Sequence, residues 1–406
     1  MGRIAVIGGG AAGILAAIYA SKNNKVILIE KNDNCGKKIL VTGNGKCNYW
    51  NSDQSITHYN SENIKFVEEV NTEENQKEIL SFFEKIGIVP LIKNGYYYPF
   101  SGTANAIKSA LLKELKLSNV EIINNYLVKK ITKQNNQFII EGNTKIKVDK
   151  VILATGSLAY YKDENSNIGY NIAKSFGHKI VKLLPSLVQL KGNENYFKEW
   201  MGIRTNAIVS LYEENKFIKQ DEGELHLTDY GISGICVFNI SGIAAKLLDS
   251  NKNIKVIINF VPWYKEDNFV NWLDERNKIV KNRQLDEFLE GFLNYKLVHT
   301  ILKTTKIEKT KTWNALTQNE KEKIANNLQN FNLKITGTNS YDKAQVCSGG
   351  ISTNEINPKT MESLKTKGLY FAGEIIDVDG ECGGYNLTFA WESGMIAGKN
   401  AGVIND

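Results

Sequence analysis

Four carboxylates, four glycines and one cysteine crowd the fifteen residues AGEIIDVDGECGGYN, from Ala372 to Asn386, directly behind the apolar run Leu369-Tyr-Phe-Ala372. Two chemistries suit such a stretch. Its acids could ligate a cation, or its glycines could let main chain come very close to a bound molecule. Glu374, Asp377, Asp379 and Glu381 lack the regular spacing and closing acid of a calcium loop. The five cysteines have no CxxC pair and the four histidines are dispersed, so no zinc site is expected either. Close approach of backbone to a ligand is the better reading, with Asp377, Asp379 and Glu381 as loop and cap groups. The side chains able to hand over a proton near such a ligand are Cys382, Cys47 and the Tyr96–Tyr98 cluster, Tyr98 included. Each has a plainer reading as a small buried thiol or a packed ring.

The elements that must position them start at residue 3. Arg3-Ile-Ala-Val-Ile7 reads as a short buried strand, Gly8-Gly9-Gly10-Ala11-Ala12-Gly13 as a tight turn, and the alanine-rich run to about Ser21 as a helix. Lys25-Val-Ile-Leu-Ile-Glu30 is a second strand ending in an acid. This is the dinucleotide-binding pattern G-x-G-x-x-G with an acid about twenty positions on. Gly8 makes the turn, Gly10 admits a pyrophosphate to the backbone, and Gly13 lets helix and sheet approach. The helix start at Ala11 and Ala12 offers oriented N–H groups to phosphate. Glu30 can accept from both ribose hydroxyls.

That pattern leaves NAD and FAD open. Two later segments favour FAD. Val151-Ile-Leu-Ala-Thr155-Gly156 is another apolar strand, ending at Thr155 and Gly156 behind an antiparallel meander near residues 119–148. The strand at 369–372 ends in Gly373 and Glu374, with a helix expected from about Tyr385 to Ala401. FAD is long enough for a late strand, loop and helix to hold its ribitol and ring. Glu374 is placed for a ribitol hydroxyl. Gly383 and Gly384 let backbone reach the ring, and Tyr385 and Asn386 open a helix whose positive end favours an anionic reduced flavin.

Four blocks, GGGAAG, GKKILVTGNGKCN (36–48), ELHLTDYGISG (224–234) and GLYFAGEIIDVDGECGGYNLTFAWESG (368–394), identify a resemblance along most of the chain. The sequence resembles bacterial FAD-dependent oxidoreductases labelled aminoacetone-oxidase-like or NAD(FAD)-utilising dehydrogenases. The resemblance implies an α/β fold: a discontinuous Rossmann-like FAD-binding domain of parallel sheet plus β-meander, with an inserted β-rich, barrel-like domain and a helical subdomain. The expected boundaries are 1–189 and 345–406 for the FAD domain, 190–262 for the β-rich insertion, 263–335 for the helices, and 336–344 for a return strand. Non-covalent FAD is implied, contacted also by Lys31, Lys38, Gly43, Gly45, Lys46, Cys47 and Asn48. Three departures stand out. Lys46 and Tyr96 stand where the family usually has arginine, and SLAYYKDENSNIGY (157–170) replaces a Gly/Ser/Pro-rich stretch.

Members of that family have been linked to enone reduction in bile-acid metabolism and to dihydrouridine formation in large-subunit ribosomal RNA. The expectation is hydride transfer from reduced FAD to a C=C bond, with ribosomal RNA uridine as the specific substrate. A small-molecule amine oxidase or enone reductase is the alternative, and a non-catalytic flavin-containing RNA-binding or assembly module is the third class. No second G-x-G-x-x-G is present, so NAD(P)H is expected as a transient reductant. The formal charge of +6 is mild and carried almost wholly by lysine, which permits a nucleic-acid partner without arguing for one. Sparse, unpaired cysteines suggest a cytoplasmic protein with reduced thiols. The apolar stretch Ile4–Ala20 could pass for a membrane anchor, but three consecutive glycines suit a turn better. In LTDYGISG, Gly231 reads as a turn residue and Asp229 stays open, while His178 and His226 read as packing or surface groups.

Overall fold

A computed structural model describes residues 2–160, 167–281 and 283–403, so residues 161–166 of the departing stretch lie outside the described residues. Contacts divide the chain into two compact units, one running to Leu184 and resuming at Val346, the other Pro185–Gln345.

The first unit is built on a five-stranded parallel sheet. Its order is Leu369–Phe371, Lys150–Leu153, Arg3–Ile7, Lys25–Ile29 and Glu121–Ile123. The two central strands are buried at every position after an exposed first residue. That is the signature of a parallel strand covered on both faces, and it explains why they read as continuous apolar runs. The meander consists of Lys130–Gln134, Gln137–Glu141 and Lys145–Val148. Residues 121–123, which the sequence suggested as part of it, instead form the edge of the parallel sheet.

Two helices lie against one another in this unit, the first at Ala11–Ala20 and the last at Tyr385–Ala401. Small residues set their distance. A Cβ on Gly394 would lie 2.4 Å from the Ala12 oxygen, and one on Gly398 would lie 2.5 Å from the Ala16 oxygen. Gly394 meets Ala12 and Gly398 meets Ala16, so the helices run parallel. Along their common direction the last helix begins eight residues further back, about 12 Å at ~1.5 Å per residue. A hairpin, Pro90–Lys93 with Tyr96–Pro99, adds Trp50–Asn51 as a third strand, and Tyr59–Asn60 pairs with Asp379–Gly380.

The second unit carries a seven-stranded antiparallel sheet. Its order is Phe331–Ile335, Ile254–Asn259, Arg204–Glu213, Lys216–Leu227, Gly231–Gly234, Leu190–Lys191 and Gly337–Thr338. The strand Phe331–Ile335 follows the helices of residues 269–329 and returns to this sheet, so strands and helices share one hydrophobic core around Trp200 and Trp313. Thr228 N–H donates to the Gly231 oxygen at 3.0 Å, closing the tight turn that contains Asp229 and Tyr230. Among the described residues no helix is long and apolar enough to cross a membrane, and the stretch Ile4–Ala20 is strand, turn and helix.

Candidate functional site

The residues singled out in the first unit gather at three places. The first is the turn after the opening strand. A Cβ on Gly13 would sit 1.8 Å from the Gly8 oxygen, and one on Gly8 would sit 2.4 Å from the Ala154 oxygen, so both glycines are demanded by the packing of helix, turn and neighbouring strand. Gly10 differs: no atom lies within 4 Å of where its Cβ would be. It is the N-cap of the first helix, with no side-chain cap and no acid in the first turn. The space beside Gly10 is open, as an anion site at a helix start needs. Buried Glu30 accepts from Gly9 N–H at 2.7 Å and from Asn32 N–H at 2.9 Å, so its carboxylate first of all braces the turn. Lys31, half-buried, follows at the strand end.

The second place lies where strand Lys150–Leu153 and the loop after Phe371 end. Lys38 Nζ meets Glu374 Oε2 at 2.6 Å, and Ser157 Oγ donates to the same oxygen at 3.3 Å. Cys347 lies against Ser157, its thiol pushed up to about 11 by burial. Thr155 Oγ1 and Ser348 Oγ are buried polar atoms with no hydrogen-bond partner in the protein. Nothing lies within 4 Å of a Cβ on Gly156. Gly373 has a packing reason instead, since its Cβ would lie 2.7 Å from that of Ala12.

The third place is the start of the last helix. Gly384 is its N-cap, again without a side-chain cap or an acid in the first turn. Gly383 and Gly384 have φ of 143° and 98°, which only glycine adopts without strain. A Cβ on Gly384 would lie 2.9 Å from the Trp50 backbone and 3.2 Å from Asn48 Oδ1, and one on Gly383 would lie 2.8 Å from the Tyr385 ring and 3.0 Å from that of Tyr96. Packing within the protein already demands both glycines, which were expected to make room for a ligand. Asn48 Oδ1 is a buried acceptor with no donor in the protein. The turn that delivers Asn48 is dense in left-handed residues, with positive φ at Gly43, Asn44, Gly45 and Cys47. Exposed Lys46 donates its N–H to the Gly43 oxygen at 3.2 Å.

Several expected roles change once the side chains are placed. Cys47 is fully buried and hydrogen-bonded to Thr42, with burial pushing its thiol up to about 12. It is packing beneath the loop, and a thiol sealed from the surface has no path to a substrate. Tyr385 turns its ring inward, stacked on His58 at 4.4 Å and edge-on to Tyr59, so the ring is engaged in packing. Asn386 accepts from Gly380 N–H at 2.9 Å and donates to Gly380 oxygen at 2.7 Å, which closes the loop 380–386. Cys382 and Tyr98 remain part-exposed on this side, and burial beside Tyr96 raises the Tyr98 phenol. Asp377 accepts from Glu62 N–H at 2.9 Å and Glu381 binds His58, as loop groups do. Among the described residues no three His, Cys, Asp or Glu side chains gather as a metal-ligand set.

Two residues are missing from the sequence reading. His58 meets Glu381 across 323 positions of chain, a separation no local pattern reports. Glu392 has both carboxylate oxygens buried without a partner, and burial raises its carboxyl far above the usual range. An acid at an otherwise apolar helix position was the signal for it.

Two uncapped helix starts thus belong to parallel, side-by-side helices staggered along their common direction by about 12 Å, with orphaned buried polar atoms at Thr155, Ser348 and Asn48. The HI0933-like protein Rossmann domain matches residues 2–400. The chain belongs to this family. Like the family, it is an FAD-dependent oxidoreductase. Its residues fit FAD: the helix start at Gly10 would hold a diphosphate, Ser348 and Glu374 would meet hydroxyls, and Asn48 Oδ1 would accept from a ring N–H, whereas Thr155 Oγ1 lies against Gly169. The HI0933-like chain is 36% identical to the 3-dehydro-bile acid delta(4,6)-reductase of Clostridium scindens, over 99% of both chains. It is 28% identical to the ribosomal RNA dihydrouridine synthase of Escherichia coli, over 96% of this chain and 95% of that one. The fold is that of 3-ketosteroid delta1-dehydrogenase from Sterolibacterium denitrificans, with a TM-score of 0.51 at 12% identity over 99% of this chain and 100% of that one.

Proposed function

We propose that this FAD-dependent oxidoreductase reduces a C=C bond conjugated to a carbonyl, with a small-molecule enone as substrate. The observation that carries the reading is the uncapped start of the last helix at Gly384, flanked by Asn48, with Tyr96 beside Gly383 and part-exposed Cys382 two residues before it. Bound FAD, reduced by NADH or NADPH, supplies the hydride. The chain must then do three things. The first-helix start holds the diphosphate, and the last-helix start lowers the cost of negative charge on the ring. A side chain on the open side delivers the proton to the carbon beside the carbonyl, and Cys382 and Tyr98 are the candidates with access. The relative at 36% identity, named as a reductase of an unsaturated 3-dehydro-bile acid, supports an enone over RNA.

Uridine of ribosomal RNA, the more specific expectation from the sequence, is retained as the second reading. It too has a C=C bond conjugated to a carbonyl, and the 28% relatives named as ribosomal RNA dihydrouridine synthases support it. The deciding experiment reduces the flavin anaerobically with NADH and NADPH, then adds a 3-oxo-Δ4 steroid. Reoxidation with saturation of the double bond is the expected result. Flavin reoxidised only by oxygen during amine turnover would establish the oxidase instead. Loss of a dihydrouridine from ribosomal RNA of cells lacking the protein would move the assignment to RNA. Failure of any donor to reduce the flavin would leave a binding module.

A further inference from the structure

We propose that His58 is a positioning residue of the flavin site: as an imidazolium bridging Glu381 and Asp53, it fixes the backbone of Cys382–Gly384 at the start of the last helix. The inference rests on the reading that this helix start faces the flavin ring.

His58 Nδ1 lies 2.7 Å from Glu381 Oε2 and Nε2 lies 3.0 Å from Asp53 Oδ2. Both ring nitrogens face carboxylate oxygens, which accept and do not donate. Only the doubly protonated ring satisfies both, since a neutral imidazole would turn a lone pair on one of them. The ring also lies flat on Tyr385, with 4.4 Å between centroids and 18° between planes. Glu381 returns its backbone N–H to the His58 oxygen at 2.9 Å, and the pairing of Tyr59–Asn60 with Asp379–Gly380 continues the tie.

The need for a brace follows from the backbone. Two successive glycines carry the least conformational stiffness of any pair, and these must hold one geometry at a helix start. Asn386 closes the loop onto Gly380 at one end, and Asn51 Nδ2 donates to the Gly383 oxygen at 2.9 Å. His58 holds the remaining corner, Glu381, and supports Tyr385 from the other side. The groups facing the imidazole are Glu381 from the loop, Asp53 from the turn ahead of it, and the neutral phenol of Tyr385 from the helix. Burial works against the charge on the ring, but the two carboxylates outweigh it and raise the imidazole above its ordinary value. The brace is therefore present below that raised value and is released as pH rises through it.

The test titrates FAD binding to the full chain between pH 5.5 and 9.5 by flavin fluorescence, with the His58 ring followed by NMR in the same protein. The wild type should lose at least about tenfold in affinity, or ~1.4 kcal/mol, with the same midpoint as the ring titration. His58→Asn should bind FAD weakly and without that pH step. Asp53→Asn alters a mostly exposed carboxylate, so its fold is secure, and it should move the midpoint to lower pH. A merely structural contact would not move it. A wild-type affinity flat across the range, or an unmoved midpoint in Asp53→Asn, overturns the proposal. A wild type that takes up no FAD at any pH overturns instead the flavin reading beneath it.

Discussion

Gly394 of the last helix rests on Ala12 of the first, so closely that a Cβ on Gly394 would lie 2.4 Å from the Ala12 oxygen. Residues from opposite ends of the chain thereby fix the offset between two helix starts. A ligand with a diphosphate at one end and an electron-rich ring at the other needs its two positive helix ends at a set spacing, and this contact sets it. Gly394→Leu should therefore lose both stability, by ~1–3 kcal/mol for overpacking, and bound flavin. Melting temperature and the ratio of flavin to protein absorbance measure the two together.

Gly10 and Gly13 should separate ligand approach from packing. Nothing lies near a Cβ on Gly10, whereas one on Gly13 would lie 1.8 Å from the Gly8 oxygen. Gly10→Val should lower the apoprotein's melting temperature by only a few °C (~2–4 °C), the cost of a poorer N-cap, and cost at least about tenfold in FAD affinity, ~1.4 kcal/mol. Gly13→Val should unfold or severely destabilise the chain. Equal effects on stability would contradict the open cradle at Gly10.

The proton donor should be found on the open side. Cys47→Ala removes a fully buried thiol, so it should cost ~1–2 kcal/mol of stability while turnover per bound flavin holds. Cys382→Ala should lower the rate by ~100-fold, the scale of a lost general acid. A parental rate in Cys382→Ala transfers the role to Tyr98, for which Tyr98→Phe is the matching measurement.

Glu392 makes stability depend on pH in a defined direction. Its folded carboxyl titrates far above the ordinary value because burial disfavours the charge. The folded state therefore holds a proton that the unfolded state has released, and stability falls as pH rises above ~4.3, by up to ~1.4 kcal/mol per unit. Glu392→Gln should flatten that slope in denaturant melts between pH 5 and 8. A slope unchanged in the variant would place the titration elsewhere.

The local elements and their chemical kind are legible in the order of residues alone. The run Arg3–Ile7, the turn at Gly8–Gly13 and the acid at Glu30 read as strand, turn and strand end because burial on both sheet faces and close helix packing leave their mark on adjacent residues. The α/β class, the FAD cofactor and the meander followed from the same local signals and from blocks of matching residues. Tertiary structure decided which side chains face a ligand. Cys47 and Cys382 are alike as letters, yet one is sealed under a loop and the other part-exposed. Tyr385 and Asn386 read as ligand contacts, yet one ring packs on His58 and one amide closes onto Gly380. His58 gained its two carboxylates only when Glu381, 323 positions away, was brought beside it. Periodicity records the burial of a residue against its own element's neighbours. It carries no record of which distant charge will arrive, because that depends on how the sheet, the two helices and their glycine contacts are assembled.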